Sequence, residues 1–544
     1  MTNVKFSRKE LEKHFNLNEK TIEKISLFGT PLEKADDKEI EIEVFPNRPD
    51  LISLQGFARA FKAFIGKDTG LKIYPINKPE KNYSVKVDKS VKPIRPHTVC
   101  AIVKNINFND EKIKEIIDLQ EKLHITIGRN RKKVAIGIYP LEKIKLPITY
   151  TARDPNLIKF IPLEASREMN AKQILQRTPA GIKYGNLIKD FKKFPVFLDA
   201  NSSILSIPPI INSNETGKIT EKTKEIFIEC SGSDLNILNK TLNIIVTTLA
   251  EMGGKIYQMN IIDSPKMKTP DLNPDKIKIS LENANKLLGL ELKEKDLNPL
   301  LQKMGYEYQN QIVKVPAWRT DIIHEVDIFE DIAIAYGYDK LIPEIPNISS
   351  IGYESKENKI KSKITEILTG LNAIEILTYH LIKPEEAKKL RIQNPIELLD
   401  SKTEYKILRP NLLIPSLRIL SENIDVEYPQ KIFEIGTIFE KESQEETGIK
   451  EKDNLILAIT PSNFTTIKQH LDYLMNTLRI KYEIKENTHN GLIDGRTGDI
   501  IINKKSIGYL GELHPASLKK WGLKMPLGVI EISLEEIYKI LDNQ

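Results

Sequence analysis

The chain has 544 residues, 40% hydrophobic and 29% charged, with 81 Lys and Arg against 75 Asp and Glu for a net charge of +6. This length predicts about three to five domains with real cores, and the mildly basic balance permits nucleic-acid contact without arguing for it, because a dedicated binder concentrates its charge. Two cysteines, Cys100 and Cys230, exclude a disulfide framework or a thiolate zinc site and suit a reducing cytoplasm, and neither a signal-like leader nor an apolar run of membrane-spanning length is present.

Residues 1–97 form the first expected domain. A helix is predicted over 7–15 with Ser7 as N-cap, and Ile40-Glu-Ile-Glu-Val44 alternates as a strand. The turn-rich Phe45-Pro-Asn-Arg-Pro-Asp-Leu51 then leads into a helix over 53–64. Residues 75–97, with four prolines among lysines, read as a connection carrying one strand at 84–87. Residues 98–262 read as one α+β domain. It has a helix over 110–123, strands at 133–138 and 226–230, a hairpin of 194–198 with 204–206, and a long helix over 234–251 stopped by Gly253-Gly254.

Three prolines in 263–275 mark a boundary. Residues 270–345 make a smaller unit. Its elements are a strand at 277–279, helices over 281–288 and 293–304, and a hairpin over 306–315, a winged-helix-like order. Pro299 predicts that the second helix starts late. The stretch from Val315-Pro-Ala-Trp-Arg-Thr-Asp321 to Tyr336-Gly-Tyr338 then reads as a helix ended by Gly337. Ile322, Val326, Phe329, Ala333 and Tyr336 share one expected face, and Asp327, Glu330 and Asp331 share another, with Asp321 just ahead. These four carboxylates predict a cationic neighbour or a solvated acidic face. A last domain over 352–544 has more strands than helices, spaced for an antiparallel sheet.

Four stretches, in order, resemble the β subunit of phenylalanyl-tRNA synthetase in its archaeal and eukaryotic form. Glu43-Val-Phe-Pro-Asn-Arg-Pro-Asp-Leu51 resembles its N-terminal element. Pro208-Pro-Ile-Ile-Asn-Ser-Asn-Glu-Thr-Gly217 with Phe227-Ile-Glu-Cys-Ser-Gly-Ser-Asp234 resembles its editing domain. Val315 to Tyr338 resembles its helix-turn-helix-like domain, and Phe433-Glu-Ile-Gly-Thr-Ile-Phe439 with Gly508-Tyr-Leu-Gly-Glu-Leu-His-Pro515 resembles its synthetase-like domain.

The resemblance implies a multidomain α+β protein: an N-terminal α/β element, an α+β editing domain, a winged-helix-like domain, and a class II synthetase-like antiparallel sheet with helices. It implies Mg²⁺ held by Asp321, Asp327, Glu330 and Asp331, where charge spacing alone favours a solvated face. It implies an editing pocket containing Ser213 and Asp234. On residue type alone, Ser231–Asp234 reads equally as a helix cap. Thr178 and Asn186 stand where relatives often carry histidines. The C-terminal domain lacks the arginines with which class II cores grip ATP, and Arg409, Arg418 and His514 read as surface or interface residues. No aminoacylation residue is therefore assigned to this chain. The implied assembly is an (αβ)₂ heterotetramer in the cytoplasm that uses ATP and Mg²⁺ to join phenylalanine to tRNA(Phe), with the active site on the α subunit. The alternative is a non-catalytic nucleic-acid-binding or regulatory scaffold, favoured by the winged-helix-like order and the missing ATP groups.

Overall fold

The computed structural model describes residues 2–542. The chain divides into two compact units, Met1–Ile345 and Pro346–Gln544. The three segments expected as N-terminal domains lie together in the first of these units. The reason lies in the core. Side chains from Val4, Phe57, Val99, Leu242, Leu297 and Phe329 belong to one continuous apolar cluster, so the proline-rich segments between them run over a shared core.

The N-terminal portion carries a strand that the sequence reading missed. Thr2–Ser7 pairs antiparallel with Glu39–Val44, so residue 7 ends a strand, and the helix behind it is the short Arg8–Glu12. Val4 and Phe6 alternate inward to reach the Leu54–Phe64 helix, where Phe6 stacks on Phe57 at 5.3 Å. Ser53 caps that helix through the Gly56 N–H at 3.0 Å.

An 11-stranded sheet dominates the first unit. The lysine- and proline-rich stretch expected to be a connection lies inside it. Ser84–Val87 runs parallel to both its neighbours, Lys255–Ile262 and Ile148–Arg153. Lys255–Ile262, His97–Lys104, Ile226–Gly232 and Val134–Pro140 follow as antiparallel neighbours. Ile226, Ile228 and Cys230 point to one core cluster while Phe227 points to another, the period-two alternation of a strand buried on both faces. The Leu235–Glu251 helix lies against this sheet.

Residues 275–340 have the winged-helix order. A three-stranded antiparallel sheet of Asp275–Lys278, Glu307–Gln309 and Ile312–Val315 accompanies three helices, Leu281–Leu288, Glu294–Lys303 and Glu325–Tyr336. Pro299 lies inside the second helix, which starts at Glu294 rather than late; the ring costs this short helix an N–H bond without ending it. The third helix begins at Glu325, so Ile322 is outside it. Its buried face centres on Ile328, Phe329 and Ile332, while Val326 is 45% exposed. Asp331 belongs to the buried face.

The second unit is a seven-stranded sheet. Its long strands Gln430–Lys441, Ile449–Thr460, Gly528–Ser533, Lys505–Leu513 and Leu492–Ile502 are antiparallel neighbours in that order. The helices Lys356–Gly370, Phe464–Thr477 and Glu535–Asp542 accompany it.

Candidate functional site

A cavity of about 650 Å³ opens in the first unit. Ile136 and Ile138 supply one apolar wall, Ile113 and Ile116 another, and the Ser206–Asn212 turn closes a third side. Two polar atoms stand out within it. Glu229 Oε2 and Ser206 Oγ are buried and have no hydrogen-bond partner among the described residues. Such atoms cost stability unless water or a ligand satisfies them. The other carboxylate oxygen of Glu229 accepts from the Tyr139 hydroxyl at 3.2 Å, and that hydroxyl also lies 3.3 Å from Asn212 Oδ1.

This cluster has a local cause. Glu229 sits in the centre of an apolar strand, between Ile228 and Cys230, and shares a face with Phe227 and Ser231. A Cβ at Gly137 would collide with both the Tyr139 hydroxyl and the Glu229 carboxyl, so glycine there is what lets them meet. Burial pushes the Glu229 carboxyl up to about 8, partly offset by the Tyr139 hydrogen bond. Near neutral pH its protonated form therefore predominates, and it can donate as well as accept.

Arg131 Nε is a third buried atom on the cavity without a partner among the described residues, while other polar groups there are engaged. His124 accepts the Ile136 N–H on Nε2 at 2.8 Å, and its Nδ1 lies 3.1 Å from Glu121 Oε1. That pattern fits a neutral ring donating from Nδ1, and burial lowers its pKa. Hydrogen bonding from His124 and the charge of Arg131 hold Glu121 down at about 2 against its desolvation. Arg131 also donates to the Ile210 carbonyl at 2.8 Å and lies over the Tyr184 ring at 4.5 Å.

Neither residue expected in the editing pocket lines this cavity. Asp234 is the N-cap of the Leu235–Glu251 helix, accepting from Asn236 N and Ile237 N at 3.1 and 3.2 Å. Ser213 is buried beside the lining residues Asn212 and Asn214, with its N–H on the Leu205 carbonyl at 2.8 Å. Thr178 caps the Pro179–Tyr184 helix, and Asn186 faces a different cleft. Glu229, Ser206 and Tyr139 escaped the sequence reading. The available signal was a carboxylate inside Phe-Ile-Glu-Cys, an apolar run with no charge partner nearby.

The four acidic residues at 321–331 open on a cleft of about 1320 Å³. Their partners differ. Arg319 donates to both oxygens of Asp321 at 2.8 and 2.7 Å and to Asp331 Oδ2 at 2.8 Å. Asp331 also accepts from the Tyr306 hydroxyl. Asp327 accepts the Ile323 and His324 N–H groups at 2.8 Å each, reciprocating the His324 side-chain cap. Glu330 is held above the ordinary carboxylate range by burial and by repulsion from Asp331, Asp321 and Asp327. The donors are all hard oxygens, which suits Mg²⁺. As placed, no group of three among the described residues is arranged to hold a metal, because Arg319 holds two of them.

Two motifs far apart in sequence meet here. Arg48 pairs bidentately with Asp50 at 2.9 Å. Thr320 Oγ1 donates to the Asn47 carbonyl at 3.0 Å, and the Arg59 guanidinium lies 4.2 Å from the Trp318 ring.

In the second unit, Arg409 and Arg418 are interior residues, not surface ones. Arg409 donates to Glu434 at 2.7 Å, to Thr378 Oγ1 at 2.8 Å and to the Thr437 carbonyl at 2.7 Å. Arg418 pairs with Glu386 at 3.1 Å. Glu531 accepts from Leu412 N, Asn454 and Tyr509. His514 caps the Pro515–Trp521 helix. The two buried arginines are thus paired with buried carboxylates, and Glu531 is held by neutral donors.

Comparison with known proteins matches residues 342–534 to the phenylalanyl tRNA synthetase beta chain CLM domain and residues 277–338 to the tRNA synthetase B5 domain. The chain is 39% identical over 522 residues to the phenylalanine–tRNA ligase beta subunit of Thermococcus sibiricus, covering 93% of this chain and 91% of that one. It is 35% identical to the corresponding subunit of Archaeoglobus fulgidus, covering 97% of each. An N-terminal fragment of the phenylalanyl-tRNA synthetase beta subunit from Pyrococcus horikoshii matches in structure at 38% identity with a TM-score of 0.59, over 62% of this chain and 99% of the fragment.

Proposed function

The chain belongs to the phenylalanine–tRNA ligase beta-subunit family, and from that premise we propose that it serves an aminoacyl-tRNA synthetase as scaffold and proofreader while an α subunit activates the amino acid. The complex joins phenylalanine to tRNA(Phe) with ATP, as an (αβ)₂ assembly in the cytoplasm. No helix among the described residues is long and apolar enough to cross a membrane. The self-paired arginines of the second unit support the division of labour. Arg409 and Arg418 are committed to Glu434 and Glu386, and a guanidinium so held is not offered to a nucleotide.

The observation that carries the proofreading role is the cavity around Glu229. A pocket that is apolar on its walls and ends in two unpartnered buried polar atoms suits an aromatic side chain bearing a hydroxyl. A tyrosyl ester satisfies Glu229 and Ser206; a phenylalanyl ester leaves both unpaired. Sites built to hydrogen-bond a hydroxyl reject the analogue lacking it by about 10⁴–10⁵. Glu229 and Ser206 thus read the ring, with Tyr139 holding the Glu229 carboxyl in place, and hydrolysis of the ester by positioned water follows from holding it. Ser213 belongs to the turn beside the pocket, between the lining residues Asn212 and Asn214, whereas the helix that Asp234 caps does not line it.

We propose that Asp321, Asp327, Glu330 and Asp331 would hold Mg²⁺ at the acidic cleft, as hard oxygen donors. The repulsion focused on Glu330 supports this. Binding there requires Arg319 to give up part of its hold. The ion supplies charge neutralisation to the assembly.

The test is tyrosyl-tRNA hydrolysis by the reconstituted complex. Glu229→Leu and Ser206→Ala, which remove the hydrogen-bonding atoms, are expected to lower kcat/KM at least about tenfold. Asp234→Ala is expected to cost only cap stability, about 1 kcal/mol. Unchanged hydrolysis in Glu229→Leu overturns the pocket. ATP–pyrophosphate exchange by the isolated chain overturns the division of labour.

A further inference from the structure

Arg48, Arg59 and Arg319 line one small cavity of about 30 Å³ in the first unit, together with Lys62 and Lys72. Two of these arginines hold a carboxylate with the same edge. Arg48 donates from Nε and Nη2 to the two oxygens of Asp50, and Arg319 donates from Nε and Nη2 to those of Asp321. This edge is a fork whose parallel N–H groups match a planar oxyanion. Arg59 is only 7% exposed, yet its Nε and Nη2 are buried with no hydrogen-bond partner among the described residues.

The charges around the cavity single out the same group. Arg48 pairs with Asp50, Lys62 with Asp68, Lys72 with Glu251, and Arg319 with Asp321 and Asp331. Arg59 reaches a carboxylate only indirectly. Its Nη1 donates to the Tyr74 hydroxyl at 3.0 Å, and that hydroxyl donates to Glu251, which already takes Lys72. One carboxylate thus serves two cations. The Trp318 ring lies 4.2 Å from the Arg59 guanidinium carbon and engages the face of the group. The N–H groups lie in the guanidinium plane and still need acceptors, and leaving them buried without any is costly. Ala60, Met304 and Pro316 make part of the wall apolar, which strengthens an ion pair formed there.

We propose that Arg59 binds a small planar oxyanion, a free carboxylate or bicarbonate, on its Nε–Nη2 fork. The fork decides the shape, because a planar anion meets both N–H groups and a halide only one point. The cavity decides the size. Its 30 Å³ is room for about two water-sized groups, which suits the two oxygens of a carboxylate and not the four of a phosphate. The bound anion steadies the meeting of three segments: Arg59 on the Leu54–Phe64 helix, Glu251 at the end of the Leu235–Glu251 helix, and Trp318 ahead of the acidic stretch. The inference does not rest on the proofreading or the Mg²⁺ reading.

The experiment uses the full chain in a Trp521→Phe background, where Trp318 is the remaining indole. Sodium formate or sodium bicarbonate replaces sodium chloride at constant ionic strength and pH. In the parent, each tenfold rise in formate above its dissociation constant is expected to raise the melting midpoint by about 2 °C. Trp318 emission should change along a saturating curve over the same concentrations. Arg59→Lys keeps a cation beside the ring but has no fork. It should lose at least about tenfold in formate affinity by both readouts, with a melting midpoint in chloride close to the parent's. Arg59→Met should lose the response altogether.

A formate response that survives unchanged in Arg59→Lys overturns the proposal. So do a melting midpoint and an emission in the parent that are the same in formate, bicarbonate and chloride, because water or a halide then serves the fork. Saturation by bicarbonate at a lower concentration than formate upholds the site with dissolved carbon dioxide as its source. The reverse order upholds it with an organic carboxylate.

Discussion

Replacing Glu229 with Gln separates the stability of the fold from the chemistry of the cavity. Burial raises this carboxyl from an ordinary 4.5 to about 8, which corresponds to a cost on ionisation on the order of 5 kcal/mol. The sign follows from proton binding. The unfolded chain releases the proton near about 4.5, and the folded chain keeps it to about 8. Between these values the folded state binds more protons, so stability falls as pH rises and the full cost is present above about 8. The amide in Glu229→Gln can still accept from Tyr139 but does not ionise. The variant should therefore match the parent near about pH 4 and exceed it by several kcal/mol near about pH 9. The assay is denaturant unfolding of the whole chain in a Trp521→Phe background. The remaining indole, Trp318, lies in the Met1–Ile345 unit that contains Glu229. A difference between parent and variant that stays flat from about pH 5 to 8 refutes the reasoning, because it means Glu229 titrates alike in both states.

Three further perturbations test other parts of the molecule. Gly137→Ala places a methyl group against Tyr139 and Glu229 and should cost about 1–3 kcal/mol as overpacking, with a loss of tyrosyl-tRNA hydrolysis that exceeds the loss of stability. Arg409→Met leaves Glu434 buried and unpaired and should cost about 3–5 kcal/mol, whereas Arg409→Met with Glu434→Leu should recover most of it; thermal melts decide. At the acidic cleft, Mg²⁺ should raise the melting midpoint of the parent chain in proportion to log concentration. Glu330→Gln should blunt that rise, and a midpoint indifferent to Mg²⁺ in the parent removes the metal from this site.

Much of the fold was legible because local signals agreed with the tertiary outcome. Asp234 does cap its helix, and the hairpin of Phe194–Leu198 with Ile204–Ile207 forms where its turn residues place it. Errors arose where tertiary context overrode local composition. The strand expected at 84–87 does form, but the stretch around it, expected to be a connection, is drawn into the sheet because Lys255–Ile262 offered hydrogen bonds and a core. Pro299 stayed inside its helix, where Leu297 and Leu301 bury against the shared core.

The site residues divide the same way. The acidic stretch Asp321–Asp331 could be found in the sequence because its charges are close together along the chain. Periodicity nonetheless put Asp331 on the wrong face, since it could not foresee that Arg319 and Tyr306 draw it inward. Glu229, Tyr139 and Ser206 come from three strands, and only sheet registry and the missing side chain at Gly137 bring them together. What the sequence determined by itself was the order of motifs, the capped helices and the carboxylates clustered at 321–331, because each depends on residues a few positions apart. The tertiary structure decided which charges are paired and which polar atoms are left open in a cavity, because burial and partner choice are set by chain segments that sequence spacing does not relate.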